Sequence, residues 1–333
     1  MLDFSETKSY GYNKILKQYA GFPWYLPLPS HFEHGWTTLR GALKTDLVTN
    51  KPSMLVFSKR RAKAWKSESN IPVEIMSCPF ILYRRMRKIE KKKDAKGTVA
   101  FASHSTYDLG VDFSIEKYCT KLKQLTDEFH PITVCLFWLD YVEVADIYRK
   151  HGFEVVTAGP KISNSLSFVH NFYEILSNHN FATANDVGSY TFFAVELGLP
   201  FFIYGEAPVS VNELGKDKNI GKTAKLTDFA IGRVADKLFA TGPSTKITPE
   251  QKEFVIEEIG IDDCLTPSQM KKFFMKYSKK NGYAFRMIIW YWIETLVHDF
   301  IFVMPWVGHL MKFRKKLARR SAKKINSATF KSN

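Results

Sequence analysis

From residue 98 onward the chain alternates short apolar runs with amphipathic stretches. Residues 98–102 (TVAFA) and 132–139 (ITVCLFWL) are continuous apolar runs rich in β-branched and aromatic side chains. That composition predicts strands buried on both faces. Residues 154–158, 181–184 and 200–204 are shorter runs of the same kind. Between them, 114–129, 141–151, 168–177 and 190–197 carry apolar residues at helical spacing, and Gly152 and Gly198 stand where a helix would end. Strands and helices in this alternation predict a parallel, doubly wound sheet.

The first 95 residues read as a smaller, irregular α/β half. A helix is predicted over 13–20, then an extended, proline-punctuated segment over 24–32 that leads into Glu33-His34-Gly35-Trp36. Strands are predicted over 53–58 and 73–77, with a Lys/Arg-rich helix between them. The polar run 91–97 (KKKDAKG) marks a boundary, and after Pro267 the chain turns helical. The expected organisation is a first domain over 1–95, a second over 96–265 and a helical, aromatic and basic extension over 266–333. No internal repeat or low-complexity tract is visible.

Composition sharpens this picture. A chain of 333 residues suits two domains, and 45% hydrophobic with 15% aromatic residues excludes a disordered one. Four cysteines, at 78, 119, 135 and 264, form no CxxC pair, which argues for a reducing compartment over a disulfide scaffold. The start of the chain lacks a basic segment followed by an apolar run, so a cytoplasmic protein is expected.

The net charge of +15 calls for an anionic partner. One basic concentration is 84–96, and the other runs from Lys312 onward with nine Lys and Arg and no acid. The segment before it, 283–311, is densely apolar and aromatic, but Glu294, His298 and Asp299 fall at its centre. Charges there disfavour a membrane-spanning helix. An apolar, aromatic segment leading into a polybasic one predicts an interfacial anchor on an anionic membrane over 283–324. A buried core helix with a basic end is the competing reading. No nucleic-acid-binding motif accompanies the charge.

In an open parallel sheet, ligands bind beyond the carboxyl ends of the strands. Three post-strand loops are polar there. Ser103-His104-Ser105-Thr106 follows the first strand, and its hydroxyls, imidazole and backbone N–H groups suit a phosphate, although an ordinary turn would look similar. Asn185-Asp186-Val187-Gly188-Ser189 joins a strand to a helix, where Gly188 permits close approach and Ser189 can cap. Glu206 stands at a third strand end, where a carboxylate suits sugar or ribose hydroxyls. In the first half, either Glu33 or His34 can act as a general base on a hydroxyl acceptor, with His34 favoured because imidazole titrates near neutral pH. No P-loop, HExxH, GxSxG or GxGxxG is present.

Three segments carry a family resemblance: FEHGW (32–36), TVAFASHST (98–106) and FATANDVGSYTFFAVELGLPFFIYGEAP (181–208). Together they resemble the GT-B glycosyltransferases that build bacterial surface polysaccharides and lipopolysaccharides, over roughly residues 20–265. The third segment is also similar to that of CDP-glycerol glycerophosphotransferases. The resemblance implies two Rossmann-like domains facing a cleft, with the last helix returning to the first domain. It implies a nucleotide-sugar donor and a lipid-linked or glycolipid acceptor. By position, His104, Ser105, Thr106, Gly188 and Ser189 would hold the donor phosphates. Asn185 and Glu206 would contact nucleotide or sugar, and Glu33 or His34 would be the base.

Metal is usually dispensable in this fold, and no DxD motif is present. Glu206 and Glu213 miss by one residue the paired-glutamate spacing of retaining members, which favours an inverting enzyme. The expected function is therefore inverting, metal-independent sugar transfer at the inner membrane face. Glycerophosphate transfer and a membrane-docked binding protein without chemistry are the alternatives.

Overall fold

Short apolar runs that lack a polar face suit strands covered on both sides, and those starting at 98, 132, 154, 181 and 201 share one sheet. A computed structural model of the chain describes residues 10–105, 109–160, 165–212 and 220–303. It is a mixed α/β structure with a five-stranded and a three-stranded parallel sheet. Packing divides the described residues into two units. The first holds residues 10–89, 160, 165–173 and 252–303, and the second holds the described residues of 90–159 and 174–251. The helices from Pro267 to Val303 group with the first unit. The chain passes between the units at 89/90, 159/160, 173/174 and 251/252.

The first unit opens with helix α1 (Tyr12–Ala20), followed by strand β1 (Ser30–Phe32) and the short helix α2 (Lys44–Leu47). Strand β2 (Ser53–Val56), helix α3 (Lys59–Glu68), strand β3 (Val73–Ile75) and helix α4 (Pro79–Arg87) complete its amino-terminal part. The strands form a parallel sheet in the order β1-β2-β3, with Phe32 level with Leu55 and Val56 level with Ile75. Met54, Val56, Ala62, Trp65 and Val73 pack into one cluster between this sheet and α3. The helix starts at Ser58, whose hydroxyl accepts from the Arg61 N–H at 3.3 Å.

The second unit begins with β4 (Thr98–Phe101), β5 (Gly110–Asp112), α5 (Ile115–Lys123) and β6 (Ile132–Cys135). It continues through α6 (Trp138–Lys150) and β7 (Glu154–Val156); helix α7 (Ser167–Ser177), which belongs to the first unit up to Tyr173, leads to β8 (Phe181–Ala184). Then come α8 (Ser189–Leu197), β9 (Phe201–Ile203), β10 (Val209–Val211), β11 (Thr223–Ala224) and α9 (Ala230–Phe239). Five strands form a parallel sheet in the order β7-β6-β4-β8-β9. Successive side chains of a strand point to opposite faces. Ala100, Val134, Val155 and Phe202 accordingly join Tyr118, Leu122, Ala145 and Tyr148 of α5 and α6. Phe101 instead stacks on Tyr190 of α8 at 4.9 Å, and Phe201 meets Phe239 of α9 edge-on at 5.6 Å. A small antiparallel sheet, β11-β10-β5, grows from the loops after β9 and β4.

The run 91–97 is not a loose linker. Its backbone N–H groups at Lys92 and Lys96 donate to the carbonyls of Ser177 and Asn178, and Lys92 pairs with Glu174 at 2.9 Å. The first basic residues of the 84–96 run end α4, which is closed by Lys88 in the left-handed region with φ 51°.

Helix α10 (Pro249–Glu258) leads to α11 (Pro267–Lys279) and α12 (Tyr283–Val303). Thr266 and Gln269 cap α11 reciprocally, with Pro267 at its first position. One face of α12 packs on the first unit: Tyr283 donates to the Leu28 carbonyl at 3.3 Å, Lys17 donates to the Tyr291 hydroxyl at 2.8 Å, and Trp292 meets Trp24 edge-on. The other face leaves Phe285, Ile289, Trp290, Ile293 and Leu296 exposed. Among the described residues, no helix is long and apolar enough to cross a membrane. The basic tail beyond Val303 lies outside the described residues.

Candidate functional site

Within the second unit, β4 is the first strand of the parallel sheet and β8 the fourth, and they lie side by side. From β4 the chain proceeds outward to β6 and β7, then returns to β8 and runs outward the other way to β9. The gap between β4 and β8 is thus the point where the winding reverses, and the loops there diverge to opposite faces. Phe101 and Ala184 end the two strands in register, so Ser103–Ser105 and Asn185–Ser189 emerge from adjacent positions at the same sheet end.

One side chain joins the two loops. Asn185 is fully buried, and its Oδ1 accepts from the Ser103 backbone N–H at 3.0 Å. Its Nδ2 is buried and has no hydrogen-bond partner among the described residues. An amide donor left in that state carries an unmet desolvation cost of about 1–3 kcal/mol. The Ser105 hydroxyl is buried as well and accepts from the Val111 N–H at 3.0 Å, which ties the first loop to β5. His104 stacks on Phe137, in the loop after β6, at 4.4 Å. Thr106 lies outside the described residues.

The second loop is shaped by its glycine and its tyrosine. A Cβ on Gly188 would lie 2.7 Å from the Tyr190 ring, so this close packing needs glycine. Gly188 starts α8: its N–H donates to the Thr191 hydroxyl at 3.3 Å and its carbonyl accepts from the Thr191 N–H at 3.0 Å. Ser189 is the first residue of that helix, at the end whose dipole favours anions. The Tyr190 hydroxyl donates to the Asp186 carbonyl at 3.1 Å. Burial raises the Asp186 carboxyl from 3.8 to about 6, against the pull of the Val187 N–H. Asp186 is the titratable group nearest in sequence to Asn185, and pattern reading passed over it because only burial singles it out.

Glu206 follows β9, beyond Gly205, whose φ of +115° and close approach to the Tyr118 ring both require glycine. Its carboxylate is exposed and lies 4.0 Å from the exposed Lys117 ammonium. It shares the sheet end with the other two loops but is one strand removed from the β4/β8 gap.

In the first unit, Glu33 and His34 follow β1 and have different surroundings. Glu33 is buried, with one oxygen on the Arg61 guanidinium and the other accepting from the Phe57 N–H at 2.9 Å. Burial pushes its carboxyl up, while Arg61 and the Phe57 N–H oppose that shift. Arg61 also donates to the carbonyls of Leu39 and Gly41. Arg60 and the Trp36 indole converge on Glu258. Glu33 therefore anchors the 33–41 loop. His34 is half-buried, stacks on Tyr10 at 5.3 Å and accepts from the Tyr12 hydroxyl through its backbone carbonyl. Arg61 carries this anchoring and was not visible as a partner of Glu33 from spacing alone.

Two cavities of the second unit lie away from these loops. One of about 530 Å³ is lined by Lys91, Asn180, Phe181, Pro200 and Lys246, at the amino ends of β8 and β9. That edge is opposite to the one where doubly wound sheets hold ligands. Among the described residues, no group of three His, Cys, Asp or Glu side chains is placed to hold a metal ion. No family model matches the chain, and no curated protein matches it in sequence.

Proposed function

We propose that the chain is an inverting, metal-independent glycosyltransferase of the GT-B type. In this reading the second unit holds a nucleotide-sugar donor, and the first contributes the base that activates a lipid-linked or glycolipid acceptor. The observation that carries it is the pair of polar loops at the β4/β8 reversal, joined by Asn185 and Ser103 beside the start of α8. Donor phosphates would sit against the hydroxyls and N–H groups of 103–105 and 188–189, where the α8 dipole favours negative charge. Asn185 Nδ2 has a donor to spend on nucleotide or sugar.

The chemistry follows from those assignments. The acceptor oxygen attacks the anomeric carbon, its bond forms as the bond to the phosphate oxygen breaks, and the acceptor proton passes to His34. The leaving nucleotide keeps the electron pair on its phosphate oxygen, and its added charge is met at the start of α8. Both Glu33 oxygens are engaged within the protein, so Glu33 fixes the loop on which His34 stands.

The exposed apolar face of α12 and the basic residues that follow it in sequence support docking on the cytoplasmic face of a membrane. That would bring a soluble donor to an acceptor held in the bilayer. Incubating the full chain with UDP-, GDP- and CMP-sugars and extracted envelope lipids tests the reading. Sugar appearing in the lipid phase with release of nucleotide supports it. Turnover of CDP-glycerol in place of every sugar donor would make it a glycerophosphate transferase instead.

A further inference from the structure

A cavity of about 350 Å³ opens in the first unit where α12 begins. Pro52 and Pro72, just before β2 and β3, and Ile71 and Tyr283 form its apolar walls, while Lys280 and Arg286 supply two cations. Asn50 and Asn70 also line it, and Lys51, next to Asn50 in the chain, lies 6.0 Å over the Tyr283 ring. No acidic side chain is among the lining residues. The cavity is thus built for a small anion with an apolar attachment.

Its position says which anion. At 3.6 residues per turn, Phe285, Arg286, Ile289, Trp290, Ile293 and Leu296 fall within about 140° of the α12 circumference. Arg286 therefore shares the face on which five large apolar side chains are exposed, at 86% for Phe285, 68% for Ile289 and 57% for Trp290. Trp24, 70% exposed, extends this surface through its contact with Trp292. Aromatic and aliphatic side chains around a guanidinium match the boundary between acyl chains and headgroups, where Arg reaches for phosphate.

We propose that this cavity is a headgroup site: Lys280 and Arg286 hold the phosphate of an anionic membrane lipid while the exposed face of α12 enters the acyl boundary. The proposal rests on the membrane-docking part of the function given above and adds a specific lipid contact to it. General attraction by the basic tail depends only on total charge. A phosphate held between Lys280 and Arg286 depends on those two residues.

The test is flotation of the full chain with vesicles of 80% phosphatidylcholine and 20% phosphatidic acid. Lys280→Ala/Arg286→Ala should weaken binding at least tenfold. Lys63→Ala/Lys66→Ala, which removes the same charge from the exposed side of α3, should change it less than twofold. Equal losses in both double variants would overturn the headgroup site while leaving charge-driven docking in place. Wild-type protein that fails to float would overturn the docking itself. Should glycerol phosphate bind the wild type and not the Lys280/Arg286 variant, with flotation of the two unchanged, the cavity would belong to a soluble phosphate ester and the lipid assignment would fall.

Discussion

The Ser103 backbone N–H donates to the Asn185 side chain across 3.0 Å, and this bond locks the loop after β4 to the loop after β8. Asn185 is buried completely, so the contact is shielded from water and fixes how far apart the two loops stand. Removing the side chain orphans the Ser103 N–H. Asn185→Ala should therefore cost about 1–3 kcal/mol in stability. In the proposed site it should also weaken donor binding beyond that of a variant elsewhere with the same stability. Urea denaturation and donor titration on the same preparation check both effects.

Asp186 makes a pH prediction with a definite sign. Its carboxyl titrates at 3.8 when exposed and at about 6 in the folded chain, because burial disfavours the charged form. Between those values the folded state binds more protons than the unfolded state, so this contribution to stability falls as pH rises. The stabilising difference is fully present below pH 4 and lost once pH passes 6, an effect of up to about 3 kcal/mol. Asp186→Asn should remove that part of the pH dependence. Unfolding free energies of both proteins between pH 4 and pH 7 measure it, and parallel curves would contradict the assignment.

Much of the second unit was legible in its residues, for a physical reason. β4 and β6 are buried along their whole length, so TVAF and ITVC carry no charged position, bond their threonine hydroxyls internally, and stand out from the amphipathic helices around them. The antiparallel sheet was not legible. Its strands GVD, VSV and TA are too short and too polar to show a period, and they pair only because the loops after β4 and β9 bring them together. Helix α12 shows the same limit: hydrophobicity marked it as apolar, but only packing separates the Tyr283 and Tyr291 face from the Phe285 and Ile289 face. Glu33 was read as a loop carboxylate, and its burial follows from Arg61, a partner 28 residues away.

The Glu33–Arg61 pair yields a stability prediction. Removing one member of a buried ion pair leaves the other charge uncompensated, at about 3–5 kcal/mol. Glu33→Ala should lose stability on that scale, and Glu33→Met/Arg61→Met should recover part of it. Chemical denaturation of the two variants distinguishes an anchoring pair from a dispensable one: a loss below about 1 kcal/mol for Glu33→Ala would show that the loop does not depend on it.

His34 separates chemistry from structure. As the general base of the proposed transfer, it should contribute about 10²–10⁴-fold to turnover. His34→Ala should lower kcat on that scale while donor affinity stays unchanged. Steady-state rates and donor titrations measure both quantities, and a variant with wild-type turnover would move the base elsewhere.

The central claim is that the β4/β8 reversal binds a nucleotide-linked donor, and thermal unfolding of the full chain across UDP-, GDP- and CMP-sugars tests it most directly. A ligand at 100 times its Kd stabilises the folded state by about 2.7 kcal/mol. The account predicts that one nucleotide class raises Tm, and that Ser189→Ala and His104→Ala each reduce the effect. A flat response to every donor, or a shift that both variants retain in full, would contradict it.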